Sequence, residues 1–70
     1  TMKIWSQGKI VYILNAPTNS TAMLYSISGQ HILSTPIDNR VSPFAIDLSH
    51  LAEGVYIIRV NNMAYKFVAK

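Results

Sequence analysis

The residues best placed to do acid–base or nucleophilic chemistry together are Asp47, Ser49 and His50, in the stretch "DLSH". Their types are those of a hydrolytic triad, in which a carboxylate orients an imidazole that takes the serine proton. Their spacing argues against it, because neighbours in one tight turn cannot aim at one another as nucleophile, base and orienter. Asp47 fits better as a turn residue that accepts backbone N–H bonds. His31 and His50 are not at metal-ligand spacing from each other or from a carboxylate cluster, and are expected at the rim or in solvent. Asp38 and Glu53 add no paired-carboxylate geometry. No catalytic, metal or cofactor site is expected.

Binding chemistry has more material. Trp5, Tyr12, Tyr25, Tyr56 and Tyr65 could present ring faces to sugar C–H groups, although aromatic residues in so small a chain more often serve the core. This supports an alternative reading, a module that binds glycan, lipopolysaccharide included, or a protein partner. The net charge of +3 is scattered without a basic run, so no nucleic-acid partner is expected. No apolar stretch approaches the roughly 20 residues of a membrane span, and no signal-peptide pattern opens the chain. With no cysteine, disulfides and thiolate metal sites are excluded.

The elements that must hold these residues are strands. Seventy residues make a single domain near the lower limit for an unaided core. A hydrophobic content of 50% against 13% charged residues supplies enough apolar surface to offset the ordering entropy. The apolar pattern has period two and is broken by turn residues every eight to twelve positions or so, the signature of an all-β sandwich or barrel. Strands are predicted over "MKIWS" (2–6), "KIVYILN" (9–15), "AMLYSI" (22–27), "QHILSTP" (30–36), "VSPFAIDL" (41–48), "VYIIRV" (55–60) and "MAYKFVAK" (63–70).

Turn chemistry joins them. Gln7-Gly8 makes a tight turn, "NAPTNST" (15–21) a loop, Ser28-Gly29 a two-residue hairpin link, Asp38-Asn39 a turn, and Asn61-Asn62 a type I′ turn. Pro43 confines the first half of its strand to an edge or bulge. In "DLSHLAEG", Ser49 is expected to cap one helical turn that Gly54 ends in the left-handed conformation, with Leu48 and Leu51 plugging the end of the sandwich. A β-branched residue at Gly54 should then cost about 1–3 kcal/mol and unfold the domain. Tyr56, Ile58 and Val60 share one face of a central strand. In the last strand Tyr65 and Phe67 face in, Lys66, Val68 and Lys70 face out, and its apolar edge is a template for strand addition or a dimer. The architecture expected is an immunoglobulin-like β-sandwich of about seven short antiparallel strands.

Three segments carry a resemblance. "YSISGQHILS" (25–34), "IDLSHLAEGVYIIRV" (46–60) and the terminal "YKFVAK" (65–70) resemble, in order and spacing, the C-terminal sorting domain of the type IX (Por) secretion system of Bacteroidetes. Ser28-Gly29-Gln30 matches the family's Ser/Asn-Gly-Lys/Arg/Gln turn. Asp47, Leu48, Ser49, Leu51, Gly54, Val55 and Tyr56 match its Asp-Leu-Ser-x-Leu-x-x-Gly-Val-Tyr segment. The Tyr-Pro-Asn-Pro opening of many members is missing, and "IWSQGKIVYILN" (4–15) looks more like the gingipain-type variant with its Gly-Lys turn.

The resemblance implies a non-catalytic signal, the C-terminal piece of a longer secreted protein ending at Lys70. It would direct its cargo from the periplasm through the outer-membrane translocon to the cell surface or beyond. The implied partners are that translocon and a surface sortase-like protease that joins the cargo to anionic lipopolysaccharide. Recognition is expected to fall on the outward Lys66, Val68 and Lys70.

Overall fold

Because side chains alternate across a strand, each of these segments gains most by turning its apolar set to one side. A computed structural model describes residues Thr1–Lys70 and contains seven strands and no helix. They are β1 (Lys3–Gln7), β2 (Ile10–Leu14), β3 (Thr21–Ser26), β4 (His31–Pro36), β5 (Phe44–Asp47), β6 (Gly54–Val60) and β7 (Met63–Ala69). A three-stranded sheet in the order β1-β2-β5 faces a four-stranded sheet in the order β4-β3-β6-β7, with every pair antiparallel. This is an immunoglobulin-like β-sandwich, and the chain crosses between sheets after β2, β4 and β5.

The core lies between the sheets. Val11 and Ile13 of β2 and Ile46 of β5 meet Leu24 of β3, Ile58 and Val60 of β6, and Phe67 of β7. Burying each such side chain contributes about 1.5–3 kcal/mol, which is how so short a chain offsets its conformational entropy. The β1 edge of one sheet runs beside the β7 edge of the other, where the Ser6 and Tyr65 hydroxyls approach to 3.5 Å. The free side of β7 is therefore lined by β1, so the last strand is not the fully open edge its sequence suggests.

Several turns differ from expectation. The β1–β2 turn is Gly8-Lys9, one residue later, since Gln7 pairs with Ile10 and Gly8 takes φ +60°. The β3–β4 link is a three-residue loop over 27–29 rather than the two-residue Ser28-Gly29. Gly29 N–H donates to the Ser26 carbonyl (2.9 Å), Ser26 N–H donates to that of Gln30 (2.9 Å), and Gly29 has φ +95°. A left-handed residue after the turn restores the strand twist, and the register shift between Leu24 and Tyr25 absorbs the extra residue. At Asn61-Asn62 only Asn61 has positive φ (+55°), whereas type I′ requires two such residues. Pro43 precedes the edge strand β5 instead of lying within it.

The largest correction concerns residues 48–53. No helical turn forms and Ser49 caps nothing, because its hydroxyl, like its N–H (2.9 Å), is engaged with the Asp47 carboxylate, while Leu51 N–H closes a single turn on the Leu48 carbonyl at 2.9 Å. Gly54 is not left-handed. It opens β6 opposite Ala69, and a Cβ placed there would meet only the Tyr56 ring, at 3.8 Å.

The opposite end of the sandwich is closed by Ser20, which is 4% exposed. Its hydroxyl donates to the Pro17 carbonyl (2.6 Å) and accepts from Asn61 Nδ2 (3.3 Å), while its own carbonyl accepts from Ile37 N–H (3.0 Å). One side chain thus ties the β2–β3 loop to the β6–β7 turn.

Candidate recognition surface

Lys9 organises the end where β7 finishes. Its place in the β1–β2 turn lets its carbonyl accept from Leu48 N–H (2.8 Å) and its ammonium donate to the Leu51 carbonyl (2.6 Å). This two-point clamp seats Leu48, fully buried, and Leu51, half-buried, against the core. From the other side Tyr56, near the start of β6, donates its hydroxyl to the Ala52 carbonyl at 2.7 Å. A tyrosine that reaches back to the backbone at a sheet-to-sheet corner is a recurrent device of immunoglobulin-like folds. Gly54 and Tyr56 thus start β6 in register with β7.

The hydrolytic set does not assemble. Ser49 and His50 are exposed on the turn, and Asp47 is engaged by Ser49. The backbone N–H and then the hydroxyl of Ser49 hold the Asp47 carboxyl below the usual aspartate range, with a smaller contribution from His50. A carboxylate tuned in this way is an acceptor fixed for a turn, the opposite of a raised proton donor. His31 lies elsewhere, on the four-stranded sheet, with Nε2 2.8 Å from Ser34 Oγ and its ring edge-on to Tyr25. No three His, Asp or Glu side chains come together as metal ligands.

Nor do the five aromatic residues make one platform. Trp5 and Tyr12 stack at 5.5 Å on the outer face of the three-stranded sheet. Tyr25 lies on the outer face of the other sheet. Tyr56 and Tyr65 point inward and pack on Phe67, each with ring centroids 6.1 Å from it.

β7 has two distinct sides. Phe67 and Ala69 are buried in the core, while Lys66 and Val68 project from the outer face of the four-stranded sheet, Val68 being 50% exposed. Lys70 follows them, exposed, at the end closed by Leu48. Pairing fixes this side chain array. Lys66 lies opposite Ile57 and Val68 opposite Val55, so β6 sets the position of each outward residue.

The profile of the family described as secretion system C-terminal sorting domain matches residues 6–70. The chain belongs to that family. It carries a C-terminal sorting signal of type IX secretion, which sends proteins toward the cell surface or extracellular space. No curated protein and no solved structure gives a significant match.

In this sorting domain Ser28 and Gly29 shape the β3–β4 turn. Ser28 Oγ lies 2.9 Å from Ser26 Oγ, whose oxygen also accepts from Gln30 N–H at 3.1 Å. The polar roles of two residues escaped the sequence reading, the Lys9 ammonium and the Tyr56 hydroxyl. Lys9 counted there as a charge, a strand start and half of the Gly-Lys turn, not as a clamp, although a lysine after a turn glycine can reach a neighbouring loop. Tyr56 was assigned a strand face, and its place directly after Gly54-Val55 at a sheet crossing was the available signal for a corner tyrosine.

Proposed function

We propose that the domain is a non-catalytic export signal read from its outward terminal strand, with Lys66, Val68 and Lys70 as the recognition residues. Residues 1–70 act as one autonomous unit appended to a longer cargo, of the gingipain-type variant by its Gly8-Lys9 turn. The cargo passes through the periplasm and the outer-membrane translocon of the type IX system. A surface sortase-like protease then removes the domain and joins the cargo to anionic lipopolysaccharide.

The observation that carries this reading is the two-sided character of β7. Its inward residues are locked in the core, so its outward residues keep fixed positions without any contribution from a partner. A signal that folds alone in this way loses little ordering entropy on recognition. The test is a fusion of a signal peptide, a fluorescent reporter and residues 1–70, expressed in a bacterium with type IX secretion, with and without residues 66–70. The full domain should place the reporter at the surface, and the shortened one should leave it in the periplasm. Surface display by both forms, or by neither, contradicts the proposal.

A further inference from the structure

The four-stranded sheet contains no aspartate or glutamate in any strand, yet it holds Arg59 and Lys66. The single ion pair of the molecule, Arg40 with Asp38, lies in the loop after β4. Both cations project from the outer face. Pairing puts Met23, Arg59 and Ala64 in one cross-strand row and Tyr25, Ile57 and Lys66 in the next. Arg59 and Lys66 are therefore diagonal neighbours, about 7–8 Å apart in such a ladder, close enough to repel and neutralised by nothing in the chain.

The apolar side chains between them are organised for contact. Tyr25 is held between the His31 ring, 5.5 Å away, and Met23, whose sulfur accepts from the Tyr25 hydroxyl at 3.3 Å. One shallow depression is lined by Tyr25, Gly29, Ile57, Arg59 and Ala64, and a second by Thr21, Met23, Tyr25, Arg59 and Asn61 among others. Arg59 and Tyr25 border both. Gly29 and Ala64 keep the first one open because neither has a side chain long enough to fill it. Arg59 uses its Nε–H on the Asn61 carbonyl at 3.3 Å, which fixes the guanidinium and leaves its terminal N–H groups free. An ordered arginine beside a rigid tyrosine and a methionine is the residue mix of an interface centre.

We infer that this face docks a protein segment that places a carboxylate on Arg59 and an apolar side chain in the depression between Tyr25, Ile57 and Ala64. Charge complementarity sets the occupant, since two unpaired cations on a carboxylate-free sheet call for acid. The fork of the guanidinium favours a planar carboxylate, which it grips through two N–H groups. The inference rests on the export-signal reading and deepens it. Recognition extends from β7 across β6 to β3, with Lys66 and Val68 forming one border of the docked area and Arg59 its centre.

The experiment uses the same reporter fusion, carrying Arg59→Gln, Arg59→Glu or, on the other sheet, Trp5→Ala. A fourth fusion carries the photo-crosslinking residue p-benzoylphenylalanine in place of Tyr25. Thermal melts of the purified domains accompany the export assay. Both Arg59 variants should melt like the parent domain yet lower surface display at least tenfold, whereas Trp5→Ala should display normally. The Tyr25 crosslinker should yield a protein adduct whose attachment point lies within a few residues of an aspartate or glutamate. Normal display by Arg59→Gln, alongside loss when residues 66–70 are removed, overturns the docking face and leaves the export signal standing. A Tyr25 adduct to lipid, or to a protein stretch without acid residues, also overturns it. Failure of the unaltered domain to export overturns both.

Discussion

At the end of the sandwich where β7 finishes, Leu48 and Leu51 fill the gap between the sheets with apolar side chains, held down by Lys9 and Tyr56. At the other end, beside the buried Ala16 and Ile37, Ser20 adds hydrogen bonds to Pro17 and Asn61. Both arrangements seal the same kind of opening, but their energies scale differently. Apolar burial grows with area and adds a cavity cost when it is removed, whereas a neutral hydrogen bond contributes little net and costs most when its partner is left unpaired. The Leu48 plug and the Ser20 bonds should therefore respond differently when their side chains are cut back.

The contrast is broken most severely at Leu48. Replacing this fully buried side chain by alanine should cost about 2–5 kcal/mol. That is a large share of the stability of a 70-residue domain, so urea denaturation should find Leu48→Ala mostly unfolded or close to it. Ser20→Ala should cost about 1–3 kcal/mol, because it removes both hydrogen bonds of the hydroxyl, to Pro17 and from Asn61, each contributing about 0.5–1.5 kcal/mol net. Its urea midpoint should fall between that of Leu48→Ala and that of the parent. Equal losses from the two would mean that both ends are held alike.

Smaller effects sharpen the picture. Tyr56→Phe keeps the ring on Phe67 and removes only the bond to Ala52, so a loss of about 0.5–1.5 kcal/mol is expected. A larger drop in melting temperature than a few degrees would give the corner bond a greater part than the plug. Gly54→Ala should cost nothing and raise stability by about 0.4–1 kcal/mol, since β6 needs no positive φ there and the unfolded chain becomes stiffer. A lowered melting temperature for this variant would restore the left-handed assignment that the sequence suggested.

These two ends also differ in how far the sequence revealed them. Leu48 and Leu51 stand out as apolar residues inside a polar turn, and the plug follows from that contrast alone. Ser20 does not stand out in "NAPTNST", where every neighbour is a turn former, and its burial depends on Asn61, 41 positions away. The strands were legible because period-two alternation is a local property. The turn over 27–29 was not, because a register shift on the partner strand decides whether two or three residues close a hairpin. The helical turn failed for a similar reason. Asp47 takes the Ser49 hydroxyl that would have capped a helix, and Lys9 takes the Leu51 carbonyl that a helix would have used. At the outward surface, the parity of Lys66 and Val68 was readable from β7 itself. Alternation in β6 turns Arg59 to the same side, but its lack of any acid neighbour emerges only when four strands are laid side by side.

β1 and β7 run beside each other in the same direction, from the Ser20 end to the Leu48 end of a body 29 Å in its longest dimension. Chain entering β1 and chain leaving β7 therefore pass through opposite ends. Tension applied between them acts along the strands, while the ladder hydrogen bonds of β1–β2 and β6–β7 lie across them. Each ladder is loaded in shear, with its bonds sharing the force instead of opening one at a time. A domain threaded in this way resists being stretched from its two ends more than it resists being peeled from one.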